Sequence, residues 1–356
     1  MPDETRQGGR AGGDAGPLHA LALGFMAART LHTALELRLF THLRRGPLLP
    51  EQLAPRTGLA ARALERLLTA CAALGLVVRT PAGVANAPLA AKYLVEGKPT
   101  FIGSYLRLFD TLGYARWGEL LTALRRNAPL DVAHPYQHLA SDAAAARTFL
   151  AAQHAGSRSL GRALARRFDF TPYACLLDLG GGSGAYTIEL LRHYPHLRAI
   201  LFDFPQVCRL ARRRLARAGL LARVQLVGGD YERDPLPRGA DVVLWSGNLH
   251  ASSPARCRQV LAKLRCLLPP GGCLLIHDYL LDDDRSGPLI PALLALHLLL
   301  VSEEGQVYSG AELRALLAEA GFTAITQQPF LPGHSSLVWA RVPAAATPRH
   351  GLSEEG

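Results

Sequence analysis

From Phe168 onward the sequence alternates short apolar runs with amphipathic segments, and this alternation constrains the fold more than any other feature. "ACLLDLG" reads as a strand, "AYTIELLRHYP" as a helix, "RAILFDFP" as a strand, "VCRLARRRLARAG" as a helix and "RVQLVGGD" as a strand. The pattern continues through "ADVVLWSG", "SPARCRQVLAKLRCLL", "GGCLLIHDYLL" and "SGAELRALLAEAGF". Strands that alternate with helices pair in parallel, with helices covering both faces of the sheet. The last two apolar runs, "AITQQPF" and "SSLVWARV", have no helix between them. They are expected to form an antiparallel hairpin at the sheet edge. The expected fold class is α/β, a Rossmann-like sheet over residues 169–343.

The segment before it follows a different pattern. From Leu18 to about Leu130 the periodicity is helical with short breaks, as in "ALGFMAARTLHTALELRLFTHL". Two short helices split at Thr57–Gly58 lead into the strand "GLVVRT" and a Pro-Ala-Gly turn. Helix–turn–helix followed by a small hairpin is a winged-helix pattern, which serves either DNA binding or dimerisation. Further helices are expected up to Phe168, the last opened by the capping pair Ser141–Asp142. Residues 18–168 are thus read as an all-helical, winged-helix domain. The polar, glycine-rich stretch 1–17 and the stretch 344–356 are read as disordered ends.

Composition excludes several classes. The longest apolar run, Pro288–Val301, is too short to span a membrane and carries Pro291 and His297. No apolar signal segment opens the chain. The six cysteines form no CxxC and suit reduced, buried thiols in a cytoplasmic protein. The thirteen histidines form no HExxH, so no metal is expected. The net charge of +10 owes much to arginine, with six in Arg209–Arg223. That segment reads as the solvated side of a helix whose Leu210, Leu215 and Leu220 face a core.

The stretch "LLDLGGGSGAY" (176–186) places a glycine loop between a strand and a helix. Such a loop lets backbone approach a ligand at the carboxyl end of the sheet. Gly180, Gly182 and Ala185 satisfy the loose dinucleotide pattern, but Asp178 precedes the loop and would repel a pyrophosphate. S-adenosylmethionine (SAM) carries an ammonium, a sulfonium and a carboxylate, and tolerates that acid. Asp203 ends the second strand, where it can accept from ribose hydroxyls. Asp230 ends the third, where it can accept from an adenine amino group with Tyr231 beside the ring. Three acids at three successive strand ends favour SAM as the cofactor, with S-adenosylhomocysteine (SAH) as its product.

These motifs, with "LFDFPQV", "VGGDYERDPLP", "ADVVLWSGNLHASSPARCRQVLAKLRCLLPPGGCLLIHDYLLDDDRSGPL" and "AELRALLAEAGF", resemble the two-domain O-methyltransferases, the caffeic-acid and acetylserotonin (hydroxyindole) enzymes. The resemblance covers about Leu18–Val342. It implies an N-terminal winged-helix domain that makes a homodimer and a C-terminal methyltransferase domain. It implies cofactor contacts at Gly180, Asp203, Asp230 and Tyr231, and at Ser157 in "AAQHAGS". His250 in "SGNLHASS" falls on the family's catalytic histidine, and Asp278 on a flanking glutamate one methylene longer. The chain departs from the family in three places. Ala251-Ser252 stands where relatives have Asp-Trp, Val307 replaces a second glutamate, and Tyr308 replaces an arginine. Glu303 or Glu304 is a candidate substitute for the missing acid.

Methyl transfer from a sulfonium needs an aligned nucleophile and a base for its proton, because a phenol has a pKa near 10. His250 suits that base, oriented by Asp278. Phe149, Gln153 and His297 are the expected acceptor-pocket residues, with Tyr105 and Trp117 as candidate lids. The expected function is SAM-dependent O-methylation of a small aromatic acceptor (phenolic, hydroxyindole or polyketide-like), without nucleic acid or membrane partners. C-, N- or S-methylation, or a non-methylating use of SAM, is the first alternative. A winged-helix SAM-sensing regulator is the second, although the helix "TGLAARALERLL" offers only Arg62 and Arg66 to a DNA groove.

Overall fold

The computed structural model describes residues 15–130 and 143–344. Most of the expected leader and tail, and the capping pair Ser141–Asp142, lie outside the described residues. The chain divides into two compact units, Met1–Asp110 and Thr111–Gly356. The helices between Thr111 and Arg167 therefore go with the sheet-bearing unit, and the compact division falls earlier in the chain than residue 168.

The first unit is mostly helical. Helices Gly24–Glu36, Pro50–Thr57 and Ala61–Ala73 pack Leu35, Leu53, Leu64 and Leu68 into a core with Leu39 and Phe40. Gly58, at φ +70°, makes the break between the second and third of these helices. A two-stranded antiparallel hairpin follows, β1 (Val77–Thr80) with β2 (Gly83–Asn86), completing the winged-helix arrangement. Leu18, Leu21, Leu23, Phe25 and Met26, on and between helices Gly16–Ala22 and Gly24–Glu36, stay more than half exposed.

The second unit holds a seven-stranded sheet built from β3 (Cys175–Leu179), β4 (Arg198–Asp203), β5 (Val224–Gly228), β6 (Val242–Ser246), β7 (Cys273–Asp278), β8 (Thr323–Leu331) and β9 (Ser335–Arg341). The spatial order is β5-β4-β3-β6-β7-β9-β8. Strands β3 to β7 pair in parallel, and β9 enters antiparallel between β7 and the edge strand β8, as the helix-free C-terminal runs required. Alternate residues face opposite layers. Leu177, Leu179, Val243, Trp245, Leu274 and Ile276 meet helices Pro254–Leu267 and Gly310–Glu319. Leu176, Leu201, Val242, Leu244 and Leu275 meet helices Ala143–Arg167, Ala185–His193 and Pro205–Arg217. Each such side chain contributes about 1.5–3 kcal/mol on burial, against at most about 1 kcal/mol for an exposed ion pair, so the two apolar layers hold the sheet.

The arginine-rich helix Pro205–Arg217 buries Val207, Cys208, Ala211 and Leu215, while Arg209, Arg212, Arg213 and Arg217 are exposed. Leu215 and Leu220 are buried as expected and Leu210 half so. Arg223 does something else: its guanidinium donates to the carbonyls of Leu191, Tyr194 and Leu197, closing the end of helix Ala185–His193. Among the described residues no helix is long and apolar enough to cross a membrane. The six cysteines are free thiols.

Candidate active site

The chain leaves β3 toward β4 on one side and returns through β6 on the other, so β3 and β6 flank the topological switch point. Ligands of open α/β sheets sit in the crevice that opens there. The glycine loop follows β3, and the His250 turn follows β6. Asn248 joins the two across 68 residues of chain: its Nδ2 donates to Gly180 O at 3.2 Å, and also to Ser246 O at 2.9 Å.

The loop is made of backbone. Gly180, Gly182 and Gly184 have φ of +67°, +55° and +73°, a region that side chains disfavour. A Cβ on Gly180 would stand 2.6 Å from Asn248 Nδ2. Asp178 is buried beneath the loop, where its Oδ2 accepts from Thr187 Oγ1. Asp203 Oδ2 accepts from Gly182 N and its Oδ1 from Phe204 N, both at 2.7 Å. Burial pushes both carboxyls up to about 6, although their hydrogen bonds work the other way. A cation arriving beside them would draw them back toward the ionised form, whereas a phosphate would not. The donor set therefore fits a ligand with ammonium, sulfonium and ribose hydroxyl groups.

Asp230 lies half-buried beyond β5, its Oδ1 accepting from Glu232 N at 2.9 Å. Tyr231 sets its ring edge-on to Trp245, centroids 6.1 Å apart. Ser157 lies on helix Ala143–Arg167, four residues beyond Gln153 and eight beyond Phe149, so the three share one helix face. That helix runs beside the glycine loop. Leu150 would be 3.7 Å from a Cβ on Gly182, and His154 Nδ1 is hydrogen-bonded to Ser183 Oγ at 2.9 Å. His297 belongs to helix Leu289–Val301, and its Nδ1 accepts from Trp117 Nε1 at 3.3 Å. Since indole only donates, the neutral imidazole keeps its proton on Nε2.

His250 lies in a short turn, Leu249–Ala251, and is buried. Its Nδ1 donates to Asp278 Oδ1 at 2.6 Å. The shorter acid thus spans the gap that its missing methylene put in question. Oδ2 of the same carboxylate accepts from Leu249 N at 2.9 Å, and Oδ1 also accepts from Tyr279 N at 2.7 Å. Burial opposes the charge on each partner, but the pair outweighs it. The His250 pKa is raised and that of Asp278 is lowered. Nε2 has no hydrogen-bond partner among the described residues, and the Tyr279 ring stands edge-on 5.6 Å away.

The departures from the family pattern have definite places. Val307 is buried with Leu281 and Leu298. Glu304 pairs with Arg256 at 2.6 Å, and Glu303 is exposed, so His250 has one carboxylate partner among the described residues, Asp278. Tyr308 is fully buried, and its hydroxyl donates to Ser252 O at 2.6 Å. Ser252 Oγ in turn donates to Glu232 Oε1 at 2.9 Å, and Arg256 reaches the same carboxylate at 2.8 Å. Asn248, Thr187 and Glu232 were not singled out from sequence. Asn248 alone carried a signal, standing two residues before the histidine. Among the described residues no group of His, Cys, Asp and Glu could hold a metal ion.

Two family models match the chain, an O-methyltransferase domain over residues 127–323 and an O-methyltransferase dimerisation domain over residues 19–96. The chain is 36% identical over 320 residues to 3-hydroxy-5-methyl-1-naphthoate 3-O-methyltransferase of Streptomyces sahachiroi, covering 89% of this chain and 92% of that one. It is 36% identical over 314 residues to tetracenomycin polyketide synthesis 8-O-methyl transferase TcmO of Streptomyces glaucescens, covering 87% and 92%. Among solved structures it is similar to human N-acetylserotonin methyltransferase in complex with SAM, with a TM-score of 0.84, 28% identity, and coverage of 94% of this chain and 100% of that one.

Proposed function

Because the chain belongs to the SAM-dependent O-methyltransferases, we propose that it methylates a hydroxyl of a small fused-ring aromatic acceptor, with His250 as the general base. The observation that carries the base assignment is the 2.6 Å bond from His250 Nδ1 to the buried Asp278. It fixes the tautomer, so the lone pair lies on Nε2, and it stabilises the imidazolium that forms when a proton arrives. Relatives named for naphthoate and polyketide substrates support the acceptor class. No observation favours methylation at carbon, nitrogen or sulfur, or a DNA-binding regulator.

SAM, when bound, supplies a methyl group already activated on a sulfonium. Asp178, Gly180, Gly182, Asp203, Asp230, Tyr231 and Ser157 are the residues that would hold it. Asp203 keeps the loop backbone in place through Gly182 N. His250 Nε2 accepts the acceptor's hydroxyl proton, and Asp278 keeps the ring from turning away. Phe149 and Gln153 would flank the acceptor, and the Nε2–H of His297 would donate to one of its oxygens. Apolar walls with few polar groups suit a flat ring system. The exposed apolar residues from Leu21 to Met26, within the matched dimerisation region, support a homodimer through the N-terminal unit. The free thiols suit a reducing, cytoplasmic setting.

The test is His250→Ala. Turnover of a hydroxynaphthoate acceptor is expected to fall by about a thousandfold or more, as for loss of a positioned base. Calorimetric affinity for SAH should stay within about twofold, because among the described residues His250 makes no bond to the glycine loop. Turnover near the parent rate would remove the base assignment.

A further inference from the structure

Bonds besides the one to Asp278 hold the turn that carries His250. Gln306 N donates to His250 O at 2.9 Å, Ser252 Oγ to Glu232 Oε1 at 2.9 Å, and the Tyr308 hydroxyl to Ser252 O at 2.6 Å, while Ser252 N closes the turn on Leu249 O at 3.1 Å. Tyr308 also reaches the segment that follows Asp278, because Leu281 N, three residues past the strand end, donates to Tyr308 O at 2.9 Å. One residue therefore ties together the two chain segments that bring the base and its carboxylate into register. Its side chain meets one and its main chain the other.

Shape alone does not account for the tyrosine. Its ring sits fully buried among Trp245, Leu249, Cys257 and Leu313, where a phenylalanine would fill the same space. Burying a hydroxyl costs free energy unless it is bonded, and even when bonded its net gain is small. The hydroxyl has a definite target, a backbone carbonyl two residues past His250, and comes within 3.4 Å of Cys257 Sγ. Fixing that carbonyl fixes the peptide planes that set where the imidazole lies.

We propose that Tyr308 is a positioning residue for the general base, its hydroxyl pinning the Ser252 carbonyl so that His250 stays seated on Asp278. The proposal rests on His250 being the base. A displaced imidazole still binds both ligands but meets the hydroxyl proton in poor alignment, so the loss falls on turnover rather than on binding.

The experiment is Tyr308→Phe in the full-length chain. We expect kcat to fall about tenfold, the weight of one hydrogen bond, with KM for acceptor and SAM within about twofold. We also expect the imidazole Cε1–H resonance of His250 to titrate closer to the ordinary histidine value. A purely structural role would lower the melting temperature and the folded fraction but leave both the KM-against-kcat split and that titration unmoved. A kcat within twofold of the parent, or a loss matched by unfolding with the titration unchanged, would overturn the proposal. Replacing Tyr308 with 3-fluorotyrosine keeps ring and hydroxyl and should preserve kcat within about twofold. A tenfold loss there too would take the effect away from the hydroxyl. The titration reads His250 on Asp278 without turnover, so it separates this proposal from the base assignment that His250→Ala tests.

Discussion

The glycine loop and the His250 turn lie at the ends of neighbouring strands, yet they are built differently. The loop is backbone: three glycines at positive φ and carbonyl and N–H groups bonded to Asn248 and Asp203. The turn is defined by side chains that arrive from far along the chain, Asp278 from β7 and Tyr308 from the segment before helix Gly310–Glu319. A backbone site tolerates few residue types and resists change. A side-chain site can be rebuilt with other partners. In the sequence, the motifs that resemble the family's gather on the donor side, and the departures gather around the proposed base.

Asp278→Asn presses hardest on that contrast. The isosteric amide keeps the shape but cannot enforce the tautomer, and kcat should fall by about a hundredfold or more with SAH affinity unchanged. The pH profile should move as well. As the proposed base, His250 must be neutral to act, so kcat/KM is expected to rise with pH through its pKa, which Asp278 holds above the ordinary value against the effect of burial. Without the carboxylate burial prevails, and the rising limb shifts to lower pH while its plateau drops. A limb that stays in place would belong to another group.

Gly180→Ala probes the backbone side. A methyl group at φ +67° is strained, and it would stand 2.6 Å from Asn248 Nδ2, forcing that side chain off both carbonyls. We expect about a tenfold loss of SAH affinity and a destabilisation of about 1–3 kcal/mol, read by calorimetry and thermal melting. Unchanged affinity would mean that this glycine does not approach the cofactor. Asn248→Ala should be milder, about threefold in SAH affinity from two lost hydrogen bonds, with the pH profile unmoved. A shift in that profile would show that the loop and the base are one unit, and the contrast drawn above would fail.

The same contrast explains what the sequence made legible. Strand–helix alternation and short apolar runs marked every strand of the large sheet, and the central strands, buried on both faces, admit little but apolar residues in such runs. The glycine loop was legible for a related reason, since few residues can take its φ values. His250 and Asp278 were placed at strand ends, but whether an aspartate would reach was a matter of ångströms that no spacing rule carries. The role of Tyr308 was out of reach. Its partner Ser252 lies 56 residues away, and only the folded sheet brings them together. Arg223 misled in a similar way, reading as one more solvated charge when it closes a helix end. The division at Asp110 was hidden too, because helices that pack on the sheet and helices that pack on each other have the same periodicity.

Strands β3 and β6 are paired over four consecutive rungs, from Leu176 with Val242 to Leu179 with Trp245. That ladder acts as a ruler. Slipping it by one residue would displace the base from the donor loop by about 3.3 Å and turn every side chain of the strand to the wrong layer, so the spacing is locked to the integrity of the core itself. Helix Leu289–Val301 takes no part in the ladder. On the proposed reading, in which that helix faces the acceptor, evolution or a protein engineer can recut it for a different acceptor without recalibrating the distance over which the methyl group must travel.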